Sequence, residues 1–189
     1  MSRRSEDRPF LEPFAGLLGE VYGSTREFDI GPAELSVDDQ LQLAEPIRGH
    51  GRATRTNRGL LLDVEAETAL AETCSRCLDP ARTSLRIAFE EEVLPSLDLA
   101  TGAPIDAAVE PEVVRLDDHH RLDLEPLLRE AISLAEPIAP LCRPDCPGLC
   151  VTCGARLADD PAHHHDDDDI DPRLAVLKAL AVDAEGENG

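Results

Sequence analysis

The chain predicts an α+β protein: an antiparallel β-sheet or small barrel with a packed helix, a cysteine-rich zinc knuckle and a C-terminal amphipathic helix. Three observations carry that expectation. Apolar residues alternate at period two through the first half, they recur at helical spacing after residue 122, and six cysteines fall into two short stretches.

The strand signals begin with Phe28 and Ile30 and continue with Leu41 and Leu43. Leu60, Leu62, Val64 and Ala66 form a longer alternating run, and Leu85, Ile87, Phe89 and Val93 another. Alternation of this kind gives each strand one buried face. Thr56-Asn57-Arg58-Gly59 predicts a hairpin turn, because Asn and Gly tolerate positive φ. Residues 95–120, rich in acids and proline, predict a long loop of no visible function. Leu122, Leu124, Leu127, Leu128, Ala131, Ile132 and Ala135 then predict a helix over about 124–135, stopped by Pro137 and Pro140. Asp171-Pro172 and the stripe Leu174, Leu177, Leu180 and Ala181 predict a second helix over roughly 171–182. The resulting division is an α+β domain over 1–135, a cysteine-rich knuckle with a His/Asp linker over 136–169, and a helix with a frayed tail over 170–189.

Composition narrows the function. With 18 Lys+Arg against 39 Asp+Glu the formal charge is −21, split as −4 over residues 1–89 and −17 over 90–189. Such a field disfavours a protein that wraps phosphate backbones, and aromatics at 3% supply few stacking platforms for single strands. No apolar run suits a signal sequence or a membrane span, so the expectation is a cytoplasmic protein whose cysteines stay reduced.

The densest chemistry is Cys142-Arg-Pro-Asp-Cys146-Pro-Gly-Leu-Cys150-Val-Thr-Cys153-Gly154. Two residues between thiolates let both reach one ion, and the glycine permits a tight backbone return, which points to structural zinc. Three completions stay open. Cys142 and Cys146 could join Cys150 and Cys153 in one local site, which is the leading assignment. Alternatively, Cys150 and Cys153 could take His163 and His165, or Cys74 and Cys77 from the second Cys-x-x-Cys pair. A thiol oxidoreductase is the least favoured reading of Cys74 and Cys77, because the pair lies between antiparallel strands. His163-His164-His165 followed by Asp166 to Asp169 reads as a solvated linker that would bind divalent ions weakly. Glu90, Glu91 and Glu92 read as an exposed strand, with no base or nucleophile to form a catalytic pair.

Arg48, Arg52, Arg55 and Arg58 form the one basic concentration and are candidates for RNA phosphate contact. An exposed edge protected by charge explains them equally well.

Four segments carry a family resemblance. They are Gly23-Ser-Thr-Arg-Glu27; Cys74-Ser-Arg-Cys77-Leu78; Leu122 to Ala131 leading to Pro140-Leu-Cys142; and Cys146-Pro-Gly-Leu-Cys150-Val-Thr-Cys153-Gly154. Ile170 to Lys178 is similar to the family's closing helix. In these the chain resembles the YceD family, found in bacteria and plant organelles and linked with accumulation of large-subunit ribosomal RNA. The resemblance implies a non-enzymatic ribosome-biogenesis factor, acting on a basic ribosomal protein or a large-subunit assembly intermediate, with structural zinc. Many family members carry a further Cys-x-Cys pair where this chain has His163-His164-His165.

Overall fold

The computed structural model describes residues 8–37, 41–106, 108 and 110–165. The helix expected over roughly 171–182, the Asp166 to Asp169 tract and the tail lie outside the described residues. The chain divides into two compact units, Met1–Cys146 and Pro147–Gly189.

The first unit is mostly sheet. Strands β1 (Leu11–Pro13), β2 (Thr25–Ala33), β3 (Gln42–Arg55), β4 (Leu60–Thr73), β5 (Pro80–Leu94), β6 (Val114–Arg115) and β7 (Arg121–Asp123) accompany helices α1 (Ala15–Leu18) and α2 (Glu125–Ala135). The main sheet runs β2-β3-β4-β5-β6, antiparallel except for the short parallel β5–β6 pair, and β1 pairs antiparallel with β7 in a separate ribbon. The sheet is therefore mixed.

The alternation seen in the sequence becomes one buried face. Phe28 pairs with Gly51, Gly51 with Val64, and Val64 with Phe89, so one row crosses four strands. A methyl group on Gly51 would lie 2.2 Å from the Phe28 ring, so only glycine leaves room for it. Phe14 meets that ring edge-on at 5.6 Å, an arrangement that suits the aromatic quadrupole. Phe10, Phe14, Leu17 and Leu18 come from the N-terminal segment, whose sequence shows no periodic run, and join the same core.

Helix α2 closes this core. Leu124, Leu128 and Ile132, four residues apart, are at most 1% exposed, which is the i, i+4 stripe of a half-buried helix. The Glu125 N–H donates to the Asp123 carboxylate and Pro126 sits in the first turn, where a missing N–H costs nothing. Glu136 is extended, with ψ 128, as the residue before Pro137 must be to avoid its ring.

Two expectations need correction. The turn at Thr56–Gly59 contains no residue of positive φ. The Thr56 hydroxyl instead accepts the N–H groups of Arg58 and Gly59, a side-chain substitute for left-handed backbone. The span 95–120 carries local order. Asp98 accepts from the amides of Ala100 and Thr101, and Asp117 from those of His119 and Arg121. Leu97 bridges Pro104, β6 adds to the sheet, and Leu116 is buried in the core. Asx turns of this sort are built from the acids that made the segment look like plain loop.

Candidate metal centres

The β4–β5 hairpin ends in Cys74-Ser75-Arg76-Cys77-Leu78-Asp79. The Cys74 N–H donates to the Asp79 carbonyl at 2.8 Å and the Leu78 N–H to the Cys74 carbonyl at 3.0 Å. This tight return puts Leu78 at φ 62. The second Cys-x-x-Cys repeats the pattern: the Gly154 N–H donates to the Cys150 carbonyl at 2.8 Å, with Gly154 at φ 74. In each case the residue after the second cysteine is left-handed, leucine in one turn and glycine in the other.

After α2 the chain returns to the first hairpin. The Ser75 N–H donates to the Pro140 carbonyl at 2.8 Å, and the Arg76 guanidinium to the Cys146 carbonyl at 2.9 Å. These bonds bring Cys142 and Cys146 to Cys74 and Cys77. The Cys74 and Cys146 sulfurs are 3.8 Å apart and those of Cys77 and Cys142 are 3.6 Å apart. All four sulfurs lie within 4.8 Å of one another. A zinc ion at 2.3 Å from each of four tetrahedral thiolates sets their separations at about 3.8 Å. Cys74, Cys77 and Cys146 are buried, and Cys142 is exposed.

The thiols themselves favour a cation. The Cys77 N–H, followed by that of Cys142, pulls the Cys74 thiol down to about 6. The Asp79 N–H pulls Cys77 the same way, but burial and the three other sulfurs outweigh it and push Cys77 up to about 12. One thiolate is thus stabilised at the expense of its neighbours, and a dication at the centre would let all of them ionise.

The second group lies wholly within the Pro147–Gly189 unit. Cys150 Sγ is 3.3 Å from His165 Nε2, Cys153 Sγ is 3.3 Å from His163 Nε2, and the two imidazole nitrogens are 3.1 Å apart. For zinc bound by two thiolates and two imidazoles the expected separations are about 3.6 Å between sulfur and nitrogen and about 3.3 Å between nitrogens. The Cys153 and Thr152 N–H groups, ahead of His163, bring the Cys150 thiol down to about 6. Both donor sets suit zinc in number, type and spacing.

The structure does not gather Cys142, Cys146, Cys150 and Cys153 around one point. It places Cys142 and Cys146 with Cys74 and Cys77, and Cys150 and Cys153 with His163 and His165, so the two histidines stand where they could serve as donors. The physical reason lies in the backbone: the bonds to Ser75 and Arg76 hold the first pair against the β4–β5 turn, while the Gly154 N–H to Cys150 carbonyl bond closes the second pair into a turn of its own.

The candidate RNA contacts are placed differently from one another. Arg55 is 6% exposed and its guanidinium donates to the carbonyls of Leu18, Thr56 and Gly59, which withdraws it from any phosphate. Arg48 pairs with Glu67 at 2.8 Å and Arg52 with Glu27 at 3.1 Å. Arg58 pairs with Glu92 and, through two bonds, with Glu110. The three surface arginines are thus each matched by carboxylate. Among the described residues no helix is long and apolar enough to cross a membrane.

The model of the family described as large ribosomal RNA subunit accumulation protein YceD matches residues 62–181. The chain is similar to an uncharacterized protein of Mycobacterium tuberculosis (strain ATCC 25618 / H37Rv), 38% identical over 126 residues that cover 67% of this chain and 58% of that one. An uncharacterized protein of Mycobacterium leprae (strain TN) is 48% identical over 56 residues, 30% of this chain and 25% of the other. The Zea mays protein named large ribosomal RNA subunit accumulation protein YCED homolog 1, chloroplastic, is 28% identical over 75% of this chain and 56% of its own length. The chain spans less than two thirds of the length of these relatives. No solved structure matches it. The family match covers more than half of the chain, from β4 through both donor groups, and the protein belongs to the YceD family.

Proposed function

We propose that the protein is a non-enzymatic ribosome-biogenesis factor that supports accumulation of large-subunit ribosomal RNA, acting through a basic ribosomal protein or an assembly intermediate. The observation that carries this reading is the family match over residues 62–181. The name of the maize relative points the same way. Electrostatics favour a basic protein over bare RNA as the direct partner. The chain carries a formal −21, and Arg48, Arg52 and Arg58 are already paired with carboxylates. Such a field accelerates encounter with a Lys/Arg-rich protein and repels free nucleic acid. Zinc on Cys74, Cys77, Cys142 and Cys146 is structural in this reading, tying the β4–β5 turn to the segment after α2.

The test is deletion of the gene, with the ratio of large- to small-subunit ribosomal RNA as readout. A fall in the ratio, restored by the wild type, is expected. An unchanged ratio in both slow and fast growth would overturn the proposal. Rescue by Cys77→Ser and by Cys150→Ser then reports which donor group the role requires.

A further inference from the structure

Among its described residues, the stretch that holds the second donor group has little else to fold around. Among the described residues of the Pro147–Gly189 unit no hydrophobic side chain is buried: Val151 is 103% exposed, and Leu149, Ala155 and Leu157 are half-buried. The first unit is built the other way. Two of its four cysteines close the β4–β5 hairpin of a sheet with a hydrophobic core of its own, running from Phe10 to Ile132.

Backbone bonding among the described residues of the second unit is confined to short turns. Among the described residues it includes the Cys150 N–H to the Ala155 carbonyl at 2.7 Å, Gly154 to Cys150 at 2.8 Å and Leu157 to Gly148 at 3.1 Å. A few bonds of small net worth do not offset the entropy of ordering every residue in the loop. What remains is the convergence of four lone-pair donors, two sulfurs and two imidazole nitrogens, within 4.8 Å of one another. Sulfur and imidazole can share protons pairwise, whereas one cation would engage all four donors at once, and binding of that cation is then the free energy of folding.

We propose that residues 147–165 are a metal-conditional folding unit, ordered by one zinc ion on Cys150, Cys153, His163 and His165 and separate from the ion held by the β4–β5 cysteines. Soft thiolate with imidazole selects zinc over the hard cations that carboxylates prefer. Exposure makes the ion exchangeable. Cys153 and His165 are exposed and Cys150 and His163 half-buried, whereas three of the four donors in the other group are buried. A competing ligand therefore reaches the Cys2His2 ion first, and the unit orders and disorders with zinc supply while the sheet stays folded. The inference rests on the zinc reading above for the identity of the metal, and owes nothing to the role in ribosomal RNA accumulation.

The experiment uses the full chain, loaded with zinc, freed of excess and analysed by elemental mass spectrometry and amide hydrogen exchange. Wild type should hold about two zinc ions per chain, and the double variant His163→Ala with His165→Ala about one. His164→Ala is the control for adventitious binding by the histidine tract and should retain the wild-type content. Limited chelation of the wild type should remove one ion and deprotect the Cys150, Gly154 and Leu157 amides, with β4 and β5 amides unchanged. The proposal is overturned if the double variant keeps the wild-type zinc, if His164→Ala loses as much as the double variant, or if residues 147–165 are equally protected without metal. Cys77→Ser separates the two readings. Loss of one ion there with none lost on His163 and His165 replacement would retain the structural zinc of the first group and reject the second centre.

Discussion

Arg55 brings a charge into the core, where its guanidinium meets three carbonyls and lies 5.3 Å from the Tyr22 ring centroid. Arg55→Met should remove that donor from the Leu18 and Thr56 carbonyls, while Gly59 keeps the Thr56 N–H, and cost about 2–4 kcal/mol in urea denaturation. Leu78 is the opposite case, a residue that is 66% exposed and whose φ of 62 suits glycine. Since left-handed backbone costs an ordinary residue about 1–2 kcal/mol and glycine gives some of that back as unfolded-state entropy, Leu78→Gly should stabilise the protein by up to about 1 kcal/mol. Thermal melting with zinc held constant would show it. For Glu91, burial first and Glu130 second push the carboxyl above its ordinary value. The folded state then binds that proton more tightly than the unfolded state. Stability from this group is fully present below the ordinary carboxylate range and is lost as pH rises through the raised folded value. Glu91→Gln should accordingly raise the melting temperature at pH 7, with the gain fading at about pH 4. An unaltered melting temperature at pH 7 would refute it.

Among the elements, the β4–β5 hairpin does the most to connect sequence with site. Its fourteen paired positions, Leu60 with Val93 through Thr73 with Pro80, run without a register shift and deliver Cys74 and Cys77 to one end of the sheet. Helix α2, fixed by Leu124, Leu128 and Ile132, aims the chain that follows back at the same end. The cysteines joined there are 65 and 72 residues apart. Closing a loop of that length through a metal removes chain entropy worth about 4 kcal/mol from the unfolded state, by analogy with a disulfide. Cys77→Ser should therefore lower the melting temperature of the sheet and abolish one zinc equivalent, whereas Cys150→Ser should abolish the other and leave the sheet's melting nearly unchanged. Equal melting of both variants would contradict this division of labour.

Across the whole molecule, charge governs association more than architecture does. The acidic excess and the paired arginines predict that capture of a Lys/Arg-rich ribosomal protein weakens steeply between about 0.05 and 0.2 M salt, with the change mainly in the association rate. Binding to ribosomal RNA without a protein partner should be weak and insensitive to replacement of Arg52, whose ion pair with Glu27 is exposed. Tight partner-free RNA binding that is lost with Arg48, Arg52 and Arg58 would favour direct RNA recognition instead.

The period-two runs determined the strands β2, β4 and β5, and the stripe from Leu122 to Ala135 determined α2, because those patterns are local and repeat over many residues. The cysteine spacing likewise pointed to residues 142–153 as carrying side chains able to hold a metal ion. Tertiary structure decided the rest. Leu41 and Leu43 lie beside and within one fourteen-residue strand that also carries Arg48, Arg52 and Arg55. The β1–β7 ribbon joins two three-residue segments more than a hundred positions apart, too short to show a period. The fate of Arg55 turned on strand register and on the Leu18 carbonyl that accepts from its guanidinium. The partners of Cys142 and Cys146 were decided by a hairpin 65 and 72 positions away. Spacing along a chain states which donors can share an ion, but only the packing of the sheet and α2 states which ones meet.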